Sequence, residues 1–136
     1  MNNKDLITAA INATKYSYSP YSKYKVGAAI LTKNNKVYTG CNIENASYSA
    51  TVCAERTAIF KAVSEGEKAF TKIAIVCRKD SDSSDNDYPS PCGVCRQVLS
   101  EFCTDDFQII LAKNEDDFKI YTLKDLLPHS FTVKNL

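Results

Sequence analysis

The sequence predicts an α/β protein in which a mixed sheet packs against helices as a sandwich. Its 136 residues are enough for one domain with a buried core, and too few for two. Hydrophobic residues make up 44% and charged residues 24%, which is typical of a folded chain. Short apolar segments alternate with amphipathic ones, which favours strands interleaved with helices. We therefore expect a single domain over residues 1–136.

The N-terminal segment predicts a helix followed by a loop. Apolar residues recur at helical spacing over Asn3–Ala13, and Asn3 is a suitable N-cap. The apolar face of this helix comprises Leu6, Ile7, Ala10 and Ile11. The stretch Tyr16–Tyr24 is polar and aromatic and contains a proline, so it predicts a loop.

A hairpin comes next, and then the strongest helix. Strands are predicted over Tyr24–Leu31 and Val37–Cys41, because the polar turn Lys33–Lys36 separates them. Val52–Glu65 predicts a helix, and Gly66 is placed as its C-cap. Its inward residues are Ala58, Ile59, Ala62 and Val63.

The middle of the chain predicts a strand, a loop and a helix. Ile73–Cys77 is continuously apolar, which is typical of a strand covered on both faces. Arg78–Ser90 is rich in Ser, Asp and Asn and predicts an exposed loop. Cys92–Phe102 predicts a helix with one repeating apolar face, formed by Val94, Val98 and Leu99.

The C-terminal part predicts two strands and a short helix. The strands are Phe107–Leu111 and Phe118–Tyr121. Thr122 is a suitable cap for a helix that runs through Leu127 and ends at Pro128. The predicted order is α-β-β-α-β-α-β-β-α, and the order of the five strands within the sheet does not follow from the pattern.

The net charge and the lack of long apolar segments indicate which kinds of partner the protein does not bind. Lys and Arg total 17 and Asp and Glu total 16, so the chain lacks the electrostatic field that attracts nucleic acid or anionic membrane. No segment approaches the ~20 apolar residues of a membrane span. The polar residues Met1–Asp5 lack the apolar core of a secretory signal. We therefore expect a cytoplasmic protein that binds neither nucleic acid nor membrane.

Cysteine and histidine usage favours a metal site made from thiolates. In a cytoplasmic protein, clustered cysteines indicate metal binding or catalysis more often than disulfides. His129 is the only histidine, and its place near the C-terminus is typical of a surface residue. Cys41, Cys77 and Cys103 are interpreted as small buried hydrophobic residues.

Two short segments carry the chemistry. Cys53 lies at the start of the strongest predicted helix. Cys92 lies at the start of the next predicted helix, in the segment Pro91-Cys92-Gly93-Val94-Cys95. Cys92 and Cys95 are three residues apart and share one face of a first helical turn. The partial positive charge of helix N-termini favours thiolates, so the three thiols suit zinc.

The number of thiolate ligands favours a catalytic zinc site over a structural one. Three thiolates leave one open position on a tetrahedral zinc, where water becomes acidic. Glu55 lies about 200° around the helix from Cys53 (~3.6 residues per turn) and is expected to face that water and move its proton. Arg56 is expected to donate hydrogen bonds to the thiolates.

Each feature also has a plainer interpretation. A Cys-x-x-Cys segment alone is also found in redox motifs and in closed zinc knots. Cys41 or Cys103 would then supply the fourth ligand, and the protein would be a structural zinc-binding interaction module. Glu55 and Arg56 would then belong to a solvated helix face.

The sequence resembles the small homotetrameric cytidine deaminases over nearly its whole length. Cys-x-Glu at one helix start and Pro-Cys-x-x-Cys at the next form the signature of zinc deaminases. Deaminases of the histidine type have His where Cys53 stands. The resemblance is carried by Pro20–Ser22, Val26–Ala29, Gly40–Asn45, Cys53–Ala58 and Pro91–Gln97.

The resemblance implies a fold and a reaction. It implies a three-layer α/β/α sandwich with a mixed five-stranded sheet, and one Zn²⁺ per chain bound by Cys53, Cys92 and Cys95. Glu55 would be the proton shuttle in the hydrolysis of cytidine and deoxycytidine to uridine and deoxyuridine, a reaction of pyrimidine salvage.

It also implies residues that bind the nucleoside. Asn42 and Glu44 would bind the ribose hydroxyls, and the Ala54 backbone N–H would contact the base carbonyl. Tyr24 stands where the family usually has Phe, and a Tyr ring also stacks on a pyrimidine. Without the family, Asn42 and Glu44 are interpreted as turn residues of a polar loop.

The resemblance further implies a homotetramer whose active sites are completed by neighbouring chains. Ala46, Tyr48 and Phe131 match the contributed segments. The loop Arg78–Ser90 is longer than in bacterial relatives and is expected to project outward. Two rival activities stay open: deamination of an aminoacyl-nucleoside antibiotic such as blasticidin S, and polynucleotide editing, which the absence of surplus positive charge disfavours.

Overall fold

The computed structural model describes residues 1–79 and 87–136 and contains one five-stranded sheet with helices on both faces. In chain order the elements are α1 (Asn3–Ala13), β1 (Tyr24–Thr32), β2 (Val37–Cys41), α2 (Ala54–Ser64), β3 (Phe70–Lys79), α3 (Gly93–Phe102), β4 (Gln108–Ala112), β5 (Phe118–Thr122) and α4 (Leu123–Leu126). None of the helices in the described residues has the length and apolar character that crossing a bilayer requires.

The sheet is mixed, as the sequence predicts. Its strand order is β2-β1-β3-β4-β5. The central pair β3 and β4 is parallel, and the other three pairs are antiparallel. The parallel pair explains the continuous apolar character of β3, because both of its faces are covered.

Two separate cores confirm the three-layer sandwich. On one face of the sheet, α1 buries Leu6, Ile7 and Ala10 against β1, β3 and β4. On the other face, α2 and α3 bury residues such as Ile59 and Leu99 against the opposite side of the same strands. The alternation of side chains along each strand divides the apolar residues between the two cores.

The ends of α2 show how its sequence fixes its limits. The helix begins at Ala54, two residues later than predicted, because Cys53 has extended backbone and is the N-cap. At the other end, Gly66 has a φ of +97° and donates its N–H to the Val63 carbonyl at 3.0 Å. Glu67 donates to the Ala62 carbonyl at 3.0 Å, which completes a Schellman motif and confirms the role of Gly66.

Capping differs from expectation at the first helix and agrees with it at the last. The N-cap of α1 is Asn2, whose side chain accepts from the Asp5 N–H at 2.8 Å, so the prediction of Asn3 was wrong. The Asn3 carboxamide instead accepts from Lys72 Nζ at 2.7 Å. At α4, Thr122 and Asp125 form the expected cap reciprocally.

Two predictions in the middle of the chain need correction. Val94 is 57% exposed, whereas α3 buries Cys95 and Leu99, so the predicted apolar face was displaced by one residue. Strand β3 extends to Lys79, so the first two residues of the predicted loop Arg78–Ser90 belong to a strand. Residues 80–86 of that loop lie outside the described residues, and 87–90 are neither helix nor strand.

Candidate active site

Three cysteine thiols converge where α2 and α3 begin. The Sγ atoms of Cys53, Cys92 and Cys95 all lie within 4.8 Å of one another. Cys53 Sγ and Cys92 Sγ are 3.8 Å apart. Zn–S bonds of about 2.3 Å in tetrahedral geometry require a separation of about 3.8 Å between sulfurs. The thiols therefore fit a zinc ion, and in residues 1–79 and 87–136 no carboxylate or imidazole belongs to this cluster.

Helix starts position the three thiols. Cys53 is the N-cap of α2, Cys92 is the N-cap of α3, and Cys95 lies in the first turn of α3. Neither N-cap side chain is used to cap its own helix, so the sulfurs stay available. The partial positive charge at each helix start favours the ionised thiol.

Hydrogen bonds distribute charge among these thiols. The Cys95 thiol and the Arg56 guanidinium donate to Cys53 and lower the pKa of its thiol to about 5, although burial opposes this. Arg56 Nη2 lies 3.5 Å from Cys53 Sγ. The contact with the Cys53 thiolate and burial raise the pKa of Cys95. The expected interaction between Arg56 and the thiols is present, and Arg56 Nε is buried without a partner among the described residues.

Glu55 lies in the first turn of α2 and is almost completely buried, with 4% of its surface exposed. Burial raises the pKa of its carboxyl to about 7. The side chain lines the same cavity as Cys53 and Cys92. A carboxyl in such surroundings is suited to accepting and returning a proton.

The cavity has a volume of about 570 Å³, which suits a small organic molecule. It brings together seven of the sequence-predicted residues, namely Tyr24, Asn42, Glu44, Cys53, Ala54, Glu55 and Cys92. Sequence reasoning assigned no binding role to other lining residues, among them Ser22, Thr51, Asp87, Tyr88 and Ser90. The proximity of Asp87, Tyr88 and Ser90 to the Pro91-Cys92 segment could have indicated those three, and the place of Ser22 in the segment Pro20–Ser22 could have indicated that residue.

Asn42 is buried, and its carboxamide is largely occupied by the backbone of β1. Its Oδ1 accepts from the Val26 N–H at 3.0 Å and from the Ser17 hydroxyl, and its Nδ2 donates to the Tyr24 carbonyl at 2.7 Å. One of its two N–H groups is left for a ligand. The residue thus has a structural role that its place in a polar loop does not reveal.

The carboxylate of Glu44 is oriented by hydrogen bonds from Tyr21 and Ser22. Its Oε1 accepts from the N–H groups of Tyr21 and Ser22 at 3.0 and 3.1 Å, and its Oε2 accepts from the Ser22 hydroxyl. The Ser22 hydroxyl contributes most to lowering the pKa of Glu44, so the group is ionised near neutral pH. An oriented carboxylate of this kind can accept hydrogen bonds from a diol.

Tyr24 and Ala54, which are expected to contact the nucleoside, both line the cavity. Burial, followed by the hydrogen bond with Cys77, raises the pKa of Tyr24 above its usual value, so its hydroxyl stays protonated. Ala54 is the first residue of α2, and its backbone N–H has no partner within the helix.

The three residues expected to serve a neighbouring chain are exposed. Tyr48 is 76% and Phe131 59% exposed, and Ala46 is also exposed. Tyr48 lines a smaller cavity of about 340 Å³ together with Ser22 and Glu44, beside the main one. Phe131 belongs to the C-terminal tail. The Phe131 carbonyl accepts a hydrogen bond from Gln97 Nε2 at 2.9 Å, and this bond holds the tail against α3.

Comparison with known proteins agrees with this geometry. Residues 1–111 match the family model described as the cytidine and deoxycytidylate deaminase zinc-binding region. A cytidine deaminase of Sporosarcina psychrophila is 44% identical over 137 aligned positions, which cover all of this chain and 96% of that protein. A blasticidin-S deaminase of Bacillus cereus is 38% identical over 113 positions, which cover 82% of this chain and 79% of that protein.

Solved structures show the same likeness in three dimensions. The cytidine deaminase of Burkholderia pseudomallei superimposes with a TM-score of 0.86 at 41% identity, covering 96% of this chain and all of the other. The cytidine deaminase of Mycobacterium tuberculosis gives a TM-score of 0.81 at 34% identity, with 96% and 98% covered. With the matched zinc-binding region and a cluster of three thiols that fits the metal, these findings show that the chain belongs to the cytidine and deoxycytidylate deaminase family.

Proposed function

We propose that this protein is a zinc-dependent hydrolase that converts cytidine and deoxycytidine to uridine and deoxyuridine with release of ammonia. The observation that carries the proposal is the placement of a buried carboxyl, Glu55, and the thiols of Cys53 and Cys92 on one cavity. Relatives named cytidine deaminase that match the whole chain support the choice of substrate.

In this proposal Cys53, Cys92 and Cys95 hold one Zn²⁺ per chain. A zinc ion bound by three protein ligands lowers the pKa of water and stabilises negative charge at a reacting centre. Arg56 offsets the surplus negative charge of three thiolates through its contact with Cys53.

Glu55 moves the protons of the reaction. It takes one proton from the attacking water and delivers it to N3 of the pyrimidine, and then takes the second proton of that water from the new C4 hydroxyl and delivers it to the departing amine. Water oxygen forms a bond to C4 and the bond from C4 to the exocyclic nitrogen breaks, so cytidine and water give uridine and ammonia. Burial keeps bulk water from competing for these protons.

The remaining lining residues orient the nucleoside. Glu44 and the free N–H of Asn42 bind the ribose hydroxyls, because a carboxylate and an amide complement a diol. The Ala54 N–H donates to the base carbonyl, and the Tyr24 ring packs against the pyrimidine.

We further propose a homotetramer in which Ala46, Tyr48 and Phe131 contribute to a neighbouring chain's site. Their exposure, together with the open cavity beside Glu44, supports this arrangement. A molar mass near four chains in light scattering would agree with it, and a monomeric active enzyme would contradict it.

Replacement of Glu55 by Gln tests the function directly. The substitution keeps shape but removes the proton carrier, so we expect full zinc content and a fall in ammonia release of about 10²–10⁴-fold. Glu65→Gln, an exposed change at the C-cap of the same helix, is the matched control. If Glu55→Gln released ammonia like the wild type, or if wild-type protein released none, a structural zinc-binding module would be the better interpretation.

Deamination of blasticidin S is a second candidate, favoured by the 38% identity to the Bacillus cereus deaminase. A panel of cytidine, deoxycytidine, blasticidin S and a single-stranded oligonucleotide separates the possibilities. We expect the free nucleosides to give the highest kcat/KM. A higher value for the antibiotic or the oligonucleotide would reassign the substrate.

A further inference from the structure

One wall of the catalytic cavity is a segment without regular structure. Asp87, Tyr88, Pro89 and Ser90 line the cavity and lead directly into Pro91 and Cys92. Residues 87–90 belong to no helix or strand, so the position of this wall depends on contacts with neighbouring elements. At its start, the Cys77 thiol of β3 donates to the Asp87 carbonyl at 3.4 Å.

Tyr88 makes such contacts outside the cavity. Lys113 Nζ and Lys119 Nζ each lie 4.6 Å from the centre of its ring, within range of cation–π attraction. Its hydroxyl donates to Asp117 Oδ1. The ring also packs against the core beneath α2 and α3 and is only partly exposed.

Among the described residues, the three polar partners of Tyr88 belong to the hairpin of β4 and β5, which is itself held by hydrogen bonds. The Lys113 N–H donates to the Asp117 carbonyl at 2.9 Å and closes the hairpin. Arg78 Nη1 donates to the Lys113 carbonyl at 2.9 Å and ties the hairpin to β3. The hairpin is therefore a fixed frame against which Tyr88 can be placed.

The zinc-ligand segment has separate anchors. Arg96 Nε donates to the Pro91 carbonyl at 2.8 Å, and Arg96 Nη2 donates to the Ser90 hydroxyl at 2.7 Å. Cys92 is itself the N-cap of α3. Loss of the Tyr88 contacts would therefore move the wall at residues 87–89 more than the metal ligands.

We propose that Tyr88 is a positioning residue for the nucleoside: docked on Lys113 and Lys119, its ring holds residues 87–89 of the wall at the distance that the bound substrate requires. This inference rests on the proposed function. Since the wall binds substrate and carries none of the reacting groups, it affects substrate affinity and leaves the chemical step intact.

Steady-state kinetics of four variants test the inference. We expect Tyr88→Ala to raise KM for cytidine about tenfold, with kcat within about twofold of wild type and one zinc per chain. Tyr88→Phe keeps the ring over the lysines and should restore most of the affinity. Lys113→Met/Lys119→Met weakens the same contact while Tyr88 stays in place, and Lys68→Met is an exposed matched control.

The results distinguish failure of this inference from failure of the function. An unchanged KM in Tyr88→Ala, or a fall in kcat at constant KM, would overturn the positioning role while wild-type turnover stands. If Tyr88→Ala does not fold, the double lysine variant decides: a raised KM supports the role and an unchanged KM overturns it. Wild-type protein without turnover would instead contradict the proposed function.

Discussion

Arg56 shows how a single side chain can adjust the metal site. It follows Cys53 by three residues on the first turn of α2 and donates from Nη2 to the Cys53 sulfur at 3.5 Å. Burial would lower the pKa of the guanidinium, but hydrogen bonds with Cys53 and Cys95 raise it above its usual value, so the group stays charged. Its positive charge favours the ionised thiols that zinc requires.

Replacing Arg56 by Gln should therefore weaken zinc binding. We expect the affinity to fall about 10–100-fold, the usual effect of removing a group that supports metal ligands. Competition with a chromophoric chelator measures this, and Arg56→Lys, which keeps the charge, should lie between Gln and wild type. Equal zinc affinity in the Gln variant would show that the contact has no electrostatic role.

Residue spacing could indicate the cluster of three thiols because much of its geometry is local. Cys92 and Cys95 share a helical turn, and Arg56 follows Cys53 on another, so only the meeting of the two helices had to be assumed. The hydrogen bonds of Asn42 could not be predicted in this way. Their partners, at Ser17, Tyr24 and Val26, lie 16–25 residues away in the chain and come near only in the folded sheet.

At the scale of elements, the distance between β2 and α2 determines where Cys53 and Glu55 lie. A Cβ on Gly40 of β2 would be 2.4 Å from the Ala58 nitrogen and 2.6 Å from the Ala54 carbonyl oxygen. The strand and the helix therefore meet backbone to backbone. Since α2 carries Glu55 near its start, any increase in this separation displaces the Glu55 carboxyl, the proposed proton carrier.

Gly40→Ala should consequently destabilise the fold and reduce turnover. Backbone atoms cannot move aside as a side chain can, so we expect a loss of about 1–3 kcal/mol in the free energy of unfolding. Gly93→Ala is the matched control for stability, because its Cβ would meet no atom within 4 Å. Chemical denaturation should place that control within about 0.5 kcal/mol of wild type. A Gly40→Ala protein as stable as the control would contradict the close contact.

At the starts of two helices, the predicted boundary or cap was displaced because one residue had two possible roles. Cys53 sits at the start of an apolar periodic run, so the pattern included it in α2, whereas the backbone makes it the N-cap. The same ambiguity displaced the cap of α1 from Asn2 to Asn3, because both residues are good caps. Periodicity also placed Val94 inward, one helical step of about 100° from the buried Cys95.

For the whole molecule, the order of strands was beyond the sequence pattern. Local periodicity predicts that β1 and β3 are strands, but their antiparallel pairing joins residues such as Val26 and Cys77, about fifty positions apart. This pairing places α2 and α3 on the same face of the sheet, where their first turns meet. Topology, and not spacing, therefore assembles the site.

Zinc should in turn stabilise that topology, because the three thiols that could bind it belong to two separate helices, α2 and α3. A metal present at about 1,000 times its dissociation constant contributes about 4 kcal/mol to a fold that alone can bind it. For a chain of this size, removing the metal should lower the thermal midpoint by about 10–15 °C.

Calorimetry before and after chelation measures this shift, and added zinc should restore the original midpoint. Cys95→Ser should show a lowered midpoint that zinc no longer restores fully, because one of the two ligands on α3 is lost. Cys103→Ser, outside the thiol cluster, controls for the general effect of removing a partly buried thiol. If the metal-free protein unfolded at the same temperature as the zinc-loaded protein, the thiols would not hold α2 and α3 together, and the helices would be positioned by the sheet alone.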